Sequence, residues 1–482
     1  MAFGILATGA YIPRLRLQRK SIVDANRWFA PGLASLGNGE RAICHWDEDA
    51  ITMAVEAARD ATVGQDRGAL RSLYFASTTF PFLDRLNAGV VVEALAMPEE
   101  LNALDVASSQ RCATSALATA LRASEPSLVV AAEHRRTRAA SAIELTAGDG
   151  AAAVVVGEGA PIARLLASAQ TTVDFVDHFR TAESVYDYQW EERWIRDAGY
   201  MTIVPPVIRR CLVAANVRPS EVAYFCMPAA LPRVVNAVAK AAGIADNAIV
   251  DNLHAICGDT GAAHPLLLLV SVLERTKPGD RVLVVGFGQG ADALLFECSG
   301  QQAEIAGRLG SAGHLARRRE ETSYAKFLAF NDLIEIERGM RSETDKLTPL
   351  SVLWRNRDTV TGMIGGKCAV CGTIQFPISR ICANPNCNAL DSQEPHPFAE
   401  KTGRVNSFTA DRLTYSPDPP ACYGMVQFEE GGRWMMDFTD VEVDKLAVGM
   451  RMRMMFRIKD VDTQRGFRRY FWKAAPIEDG RS

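Results

Sequence analysis

The runs "LYFASTTF" from Leu73, "LVVAAE" from Leu128 and "AAAVVVG" from Ala151 constrain this chain most. They lack a polar face, and a strand apolar on both sides must be covered above and below. Segments of helical periodicity supply the cover. "ITMAVEAARDA" is one and "VVNAVAKAAG" another, the second closed by Gly243. Such strands and helices alternate up to about residue 300, which predicts an α/β region.

That region echoes itself. "RSLYFASTTF" has a counterpart in "EVAYFCMPAA", and "SLVVAAE…AGDGAAAVVVG" in "RVLVVGFGQGADALLFE". The strand–turn–helix "LDVASSQRCATSALATAL" is mirrored by "NAIVDNLHAICGDTGAAHPLLLLVSVLE". A duplicated half packs most simply about a pseudo-twofold axis, so corresponding turns are expected to converge on one site.

With 482 residues the chain exceeds what one core serves. From Arg308 to about Asp358 the text is charged and partly helical, a connector expected to dock through Tyr324, Phe327, Leu328 and Phe330. Beyond it, "GRVNSFTADR", "YGMVQFEE", "RWMMDFTDV", "GMRMRMMFRI" and "FRRYFWKAA" are five short strands separated by turn residues, the pattern of a small Greek-key barrel. Between connector and barrel, "CAVCGTIQFPISRICANPNC" sets Cys368 and Cys371 two residues apart, then Cys382 and Cys387 four apart. Two such knuckles close tetrahedrally on a zinc ion and leave no position for water, so a structural Zn2+ is expected. His396 lies too far along to be preferred as a ligand. The expected domains are 1–306, the connector 307–358, the zinc ribbon 359–395 and the barrel 396–482.

Composition narrows the partners. A formal charge of −4 gives no electrostatic reason to bind nucleic acid or an anionic membrane. No apolar run reaches the length of a bilayer span. The opening "MAFGILATGAYIPRLRL" reads as a first strand and not as an export signal. With four of eleven cysteines clustered, a reducing cytoplasm is expected.

"GAYIPRLRL", "DEDAITMAVEAARDA", "IELTAGDGAAAVVVG" and "KPGDRVLVVGFGQGADALLFE" resemble the hydroxymethylglutaryl-CoA synthase branch of the thiolase superfamily, over the chain up to about residue 300. From "GGKCAVCGTIQFPISRIC" onward the tail resembles OB-fold proteins with a rubredoxin-like zinc ribbon, which act as partners of thiolase-like enzymes. The resemblance implies a duplicated αβαβα layered fold followed by a zinc ribbon and an OB-fold barrel. It also implies a homodimer, and coenzyme A thioesters as substrates together with a small acyl acceptor or β-keto compound.

Relatives place a nucleophilic Cys on a turn of the first half and a His, with an Asn or second His, in the mirrored half. A thiolate at a helix start is stabilised by unpaired N–H groups and the helix dipole. Counting from Asp105, or back from Leu117, the synthase register puts Gln110 at the nucleophile position. The thiolase register, through "CATSA", puts Cys112 there. The synthases' glutamate base falls on Thr78 and their histidine on Cys226 in "FCMPA". Their Gly-Asn-Thr turn becomes Gly258-Asp259-Thr260, and the thiolase-type Gly-His-Pro-Leu histidine falls on His264 in "AAHPLLLL". Loss of both base and histidine argues against true hydroxymethylglutaryl-CoA synthesis. His264 also reads as a cap for the helix that follows, Cys226 as a buried strand end, and His254 as structural. Asp149 and Asp292 read as braces between the halves.

Two functions follow. One is an acyltransferase making or breaking a carbon–carbon bond by Claisen or retro-Claisen chemistry. The other is a non-catalytic acyl-CoA-binding scaffold within a multienzyme complex.

Overall fold

The structure, a computed structural model, describes residues 2–300 and 307–477. The expected boundary at residue 306 lies outside these. Two compact units emerge. The first comprises residues 1–45, 49–88 and 99–331 and the second residues 46–48, 89–98 and 332–482.

The first unit is built on a nine-stranded sheet. In chain order its strands are β1 (Ala2–Tyr11), β2 (Ser72–Ala76), β3 (Asn102–Val106), β4 (Ser127–Glu133) and β5 (Gly150–Gly159), then β6 (Ala163–Thr172), β7 (Tyr224–Cys226), β8 (Arg281–Phe287) and β9 (Gly290–Cys298). The spatial order is β7-β8-β9-β6-β1-β5-β4-β2-β3. The two halves meet between β1 and β6 through a single pairing, Ile5 with Ala163.

The expected repeat is present as topology. In the first half β2 lies parallel to both β3 and β4, and β4 runs antiparallel to β5. In the second, β7 lies parallel to β8 and to an isolated bridge at Ile249, and β8 runs antiparallel to β9. The counterpart of β3 has shrunk to that one bridge.

Five helices complete the layers: α1 (Ala50–Ala61), α2 (Cys112–Ala123), α3 (Met201–Ala214), α4 (Val234–Ala242) and α5 (His264–Leu273). Helices α2 and α5 form a central layer that touches strands of both halves. They bury Leu117, Leu121 and the run Leu266–Leu269 in one core with Val129, Val154 and Val284. Helix α1 covers β1, β5 and β4 on one outside face, while α3 covers β6 and β9 on the other and α4 packs on α3. Strands β4 and β5 are therefore buried on both sides, which is why their sequence reads without alternation. The segment Tyr324–Phe330 is a helix of this unit, with Phe327 buried beneath the Arg41 guanidinium and the Tyr324 hydroxyl donating to Glu144 at 2.8 Å.

The second unit carries two small sheets. Strands β10 (Ile364–Cys368), β11 (Ile374–Gln375) and β12 (Gln393–Pro397) form one. The other holds β13 (Gly403–Asp411), β14 (Ala421–Phe428), β15 (Arg433–Asp437), β16 (Arg451–Asp462) and β17 (Phe467–Pro476), in the order β15-β14-β13-β16-β17. Alternation along β16 buries Met452, Met454, Phe456 and Ile458. The basic residues that the sequence mixes among them diverge: Arg457 is fully buried against Glu48 at 3.1 Å and Asp440 at 3.6 Å. Lys473 is buried on Asp47 at 2.8 Å. Two cations of the barrel thus pair with the 46–48 segment of the same unit.

Candidate active site and cysteine cluster

The turn between β3 and α2 is the sharpest in the first half. Ser108 takes φ +72°, a left-handed conformation that costs a residue with a Cβ about 1 kcal/mol or more. The turn is held from the opposite half. Ser109 Oγ donates to Gly288 O at 2.8 Å and Arg111 Nε donates to the same oxygen at 3.0 Å. Arg111 Nη1 reaches Asp292 at 2.8 Å, and Asp292, fully buried, also accepts from Thr114 at 2.9 Å and Ser115 at 2.6 Å. Glycine is required at 288, because a Cβ there would stand 2.7 Å from Ser109 Oγ and 3.0 Å from the Gln110 nitrogen.

Gln110 occupies the crest of this turn, half-buried, its Nε2 donating to Thr78 Oγ1 at 3.2 Å. Thr78 in turn donates to Glu133 Oε2 at 2.9 Å, and Ser77 Oγ to Oε1 at 3.1 Å. Glu133 ends β4 fully enclosed. Burial raises its pKa against the opposing pull of Arg135 and the Thr78 hydrogen bonds. Across the site, Gly261 fits against both groups. A Cβ at that position would lie 2.9 Å from Gln110 Oε1 and 3.0 Å from Glu133 Oε2. The turns of the two halves do converge.

Cys112 lies elsewhere. It is the first residue of α2, 3% exposed, and its side chain belongs to the core shared with Ala262 and Leu266. Burial, reinforced by Glu133, pushes its thiol far above the ordinary range. The helix-start argument fails here because the thiol points into the apolar layer instead of toward solvent. Cys226 is also enclosed at the end of β7, and burial raises its thiol. Neither thiol is set up as a thiolate.

His264 is the fully buried first residue of α5. Its Nδ1 accepts from the Thr260 N–H at 2.9 Å, so that nitrogen carries no proton, and Nε2 therefore donates to Asn252 O at 2.8 Å. Both ring nitrogens are used by backbone, and desolvation lowers the pKa. His264 does not cap α5, which has no side-chain cap; its ring ties the loop before the helix together, and proton transfer through either nitrogen would first break one of these backbone bonds.

Asp259 receives the Gly261 N–H at 2.9 Å and stands 3.7 Å from His264 Nδ1. Burial pushes its carboxyl up, but His254, His264 and Arg135 outweigh that and hold it below the usual carboxylate range. A cavity of about 330 Å3 opens between the turn that follows β7 and the loop 249–254, lined by Leu231, Arg233, Asn236, Asp251, Asn252 and His254, the last of which approaches Asp259 from the cavity wall. Cys226 is not among its lining residues.

Several groups were not legible as site residues. Arg135 is enclosed between Glu133, Asp187 and Asp259, and donates to Asp187 at 2.7 Å. Arg180 joins the same carboxylate at 2.8 Å and also donates to Thr78 O. The Tyr200 ring stacks on Phe287 at 4.0 Å, its phenol pushed up by burial and by Asp177 and Asp259. The charged ending "AAEHRR" of an otherwise apolar strand was the only available hint. Asp149 accepts from the Cys44 N–H at 2.8 Å and faces His134 at 3.2 Å, both within the first half, whereas Asp292 ties the second half to Arg111, Thr114 and Ser115 of the first.

In the second unit the four cysteines come together. Their sulfurs all lie within 4.8 Å of one another, with Cys371 and Cys382 3.5 Å apart and Cys368 and Cys387 4.0 Å apart. Four thiolates on one zinc ion at about 2.3 Å stand about 3.8 Å from each other, so the cluster fits that ion. Gly372, at φ +74°, lets its N–H reach Cys368 O at 2.8 Å and turns the first knuckle. His396 is engaged with Glu430 at 3.3 Å and stays outside the cluster.

Comparison with known proteins agrees with this architecture. Residues 212–297 match the C-terminal domain of 3-oxoacyl-[acyl-carrier-protein] synthase III, and residues 397–457 match the C-terminal OB-fold domain of ChsH2. Hydroxymethylglutaryl-CoA synthase from Pyrococcus furiosus is 28% identical over 310 residues, covering 62% of this chain and 87% of that enzyme. The synthase from Methanocella arvoryzae is 28% identical over 309 residues, covering 62% and 88%. Among solved structures, 3-oxoacyl-[acyl-carrier-protein] synthase III from Aquifex aeolicus superposes with a TM-score of 0.55 at 22% identity, over 61% of this chain and all of the other. A hydroxymethylglutaryl-CoA synthase complexed with CoA gives 0.57 at 18% identity, over 71% and 93%. The chain thus joins a condensing-enzyme domain of the thiolase superfamily of acyltransferases, related to the hydroxymethylglutaryl-CoA synthases, to an OB-fold domain of the ChsH2 type.

Proposed function

We propose that this protein makes or breaks a carbon–carbon bond next to a coenzyme A thioester, through an enolate held non-covalently and not through an acyl-enzyme. The observation that carries this reading is the Gln110 amide on the crest of the turn, with Cys112 buried behind it. An amide cannot attack a thioester, but it can donate a hydrogen bond to a developing enolate oxygen. Donors of this kind are worth roughly 3 to 4 kcal/mol each in the transition state. The lined cavity beside Asp259 is the place for the thioester or its acyl group, and Arg135 supplies fixed positive charge nearby.

One observation favours the scaffold reading. Thr78 and Cys226 stand where the resemblance expects a base and a histidine. The test is intact-mass analysis after incubation with acetyl-CoA and longer or aromatic acyl-CoA esters, together with calorimetry. Binding without any mass increment, plus turnover of a β-keto or β-hydroxy thioester, supports the enolate reading. An acyl group on Cys112 refutes it, and binding without turnover favours the scaffold.

The same reading extends to the rest of the chain. A structural Zn2+ on Cys368, Cys371, Cys382 and Cys387 fixes the two knuckles. Strand β3 lies at the sheet edge with Leu104 43% exposed, which suits pairing with a second copy in a homodimer. All eleven cysteines are unpaired, which suits a reducing cytoplasm. Among the described residues no helix is long and apolar enough to cross a membrane.

A further inference from the structure

The positions that the resemblance assigns to proton transfer hold Thr78, Cys226 and a fully engaged His264. An enolate enzyme still needs a group to take and return a proton. Three titratable side chains gather behind the cavity wall, of which His254 lines the cavity itself. A ring nitrogen of His254, a carboxylate oxygen of Asp259 and a ring nitrogen of His264 all lie within 4.8 Å of one another. Two histidines and a carboxylate suggest a metal triad, but both nitrogens of His264 are committed to Thr260 and Asn252. A cation there would have to break a buried backbone hydrogen bond. The remaining pair is an imidazole and a carboxylate.

His254 has the features of an acid–base group. It lines the cavity, and its buried Nε2 meets no hydrogen-bond partner among the described residues. Its ring packs edge-on against His264 at 4.9 Å, and its backbone is fixed through Asn252 Oδ1 and Arg19. The charges around it are Asp259 and Asp251, which favour its cationic form, and Arg19 and His264, which oppose it. Burial keeps it neutral at pH 7, ready to accept a proton, and Asp259 stands within reach to stabilise the cation that results.

Resting on the enolate reading above, we propose that His254 is the proton-transfer group of this site, with Asp259 as its counter-charge. In the bond-forming direction the thioester's α-carbon C–H bond breaks, the proton goes to His254, and the electron pair becomes the enolate. In the cleaving direction the proton of a β-hydroxyl goes to His254 and the Cα–Cβ bond breaks. Its electron pair forms the same enolate, and an aldehyde or ketone leaves. The stored proton then returns to the α-carbon. The sequence position of His254, in a loop absent from the first half's short turn, means that the acid–base group has moved while the fold has not.

The test is exchange of the α-protons of acetyl-CoA, butyryl-CoA and phenylacetyl-CoA in D2O, followed by NMR, with calorimetric binding measured in parallel. The wild-type protein is expected to exchange at least one ester. His254→Gln should slow this by 100-fold or more with binding changed less than threefold, and Cys112→Ala should leave it unchanged. Asp259→Asn, the second variant, should slow exchange by tenfold or more and shift its pH profile to lower pH, because the carboxylate that favours the His254 cation is gone, a shift that a structural role would not produce. Exchange undiminished in a folded His254→Gln overturns the assignment of His254 while leaving the enolate reading intact. Binding without exchange in the wild type overturns both.

Discussion

Asp292 is the clearest place to test how the candidate site is held together. It is fully buried and accepts from Arg111 at 2.8 Å, Thr114 at 2.9 Å and Ser115 at 2.6 Å. Asp292→Ala removes the acceptor of all three hydrogen bonds and leaves the Arg111 guanidinium, itself only 13% exposed, without that carboxylate. Breaking a buried ion pair in this way costs about 3 to 5 kcal/mol. Because Arg111 keeps Gly288 O and some access to water, the lower bound of about 3 is the better figure for the ion pair. The two hydroxyls add about 0.5 to 1 kcal/mol each. A total near 4 kcal/mol corresponds to a fall in Tm of roughly 6 °C for a unit of this size. Thermal unfolding measures the fall, and hydrogen exchange of the 104–121 peptide locates it. Asp292→Asn, which keeps an acceptor, should lose about half as much. The double variant Arg111→Met/Asp292→Leu should lose less than Asp292→Ala alone, since no buried charge is left behind. A fall below about 3 °C, or additive effects in the double variant, would refute the claim that this ion pair clamps the turn.

Four further outcomes follow from the geometry. His254 has its pKa lowered from 6.5 to about 4, chiefly by burial. In that window the unfolded chain binds the extra proton, so stability present above pH 6.5 is lost as the pH falls toward 4. The loss is roughly 3 kcal/mol, and His254→Gln should abolish it in acid denaturation series. Metal analysis should find one zinc per chain, and Cys371→Ser should release it and expose the β10–β12 region to protease. Asp47→Ala removes the carboxylate on which Lys473 closes at 2.8 Å, and should destabilise the second unit by about 3 to 5 kcal/mol in thermal unfolding. Gly288→Ala should cut turnover by 10-fold or more with little change in binding of CoA esters, as a Cβ cannot fit against Ser109 and Gln110.

The fold was legible because burial on both faces leaves a plain trace. The runs at Leu128 and Ala151 became β4 and β5, and the repeat of "RSLYFA" in "EVAYFC" became β2 and β7. The cysteine knuckles were legible because metal ligands must recur at turn spacing. The site was not legible to the same depth. Two registers, giving Gln110 or Cys112, fit the letters equally, and only the path of the chain through Ser108 decides which side chain faces out. His264 sits in the string "AAHPLLLL", yet its letter says nothing of the Thr260 and Asn252 backbone that occupies both nitrogens. Arg135 and Asp187 lie far apart in sequence and meet only through tertiary packing. His254 looked structural because a capping role and a catalytic one are written with the same residue.

The layered duplication has a consequence for dissecting the molecule. Gln110 comes from one repeat, and Asp259 and the cavity come from the other, while Gly159–Ala163 is the short covalent link between them. Neither repeat alone brings Gln110 together with Asp259 and the cavity. Two fragments cut at that link should therefore be inert separately and regain turnover only on mixing, with second-order kinetics. Fragment complementation would then report on the seam itself.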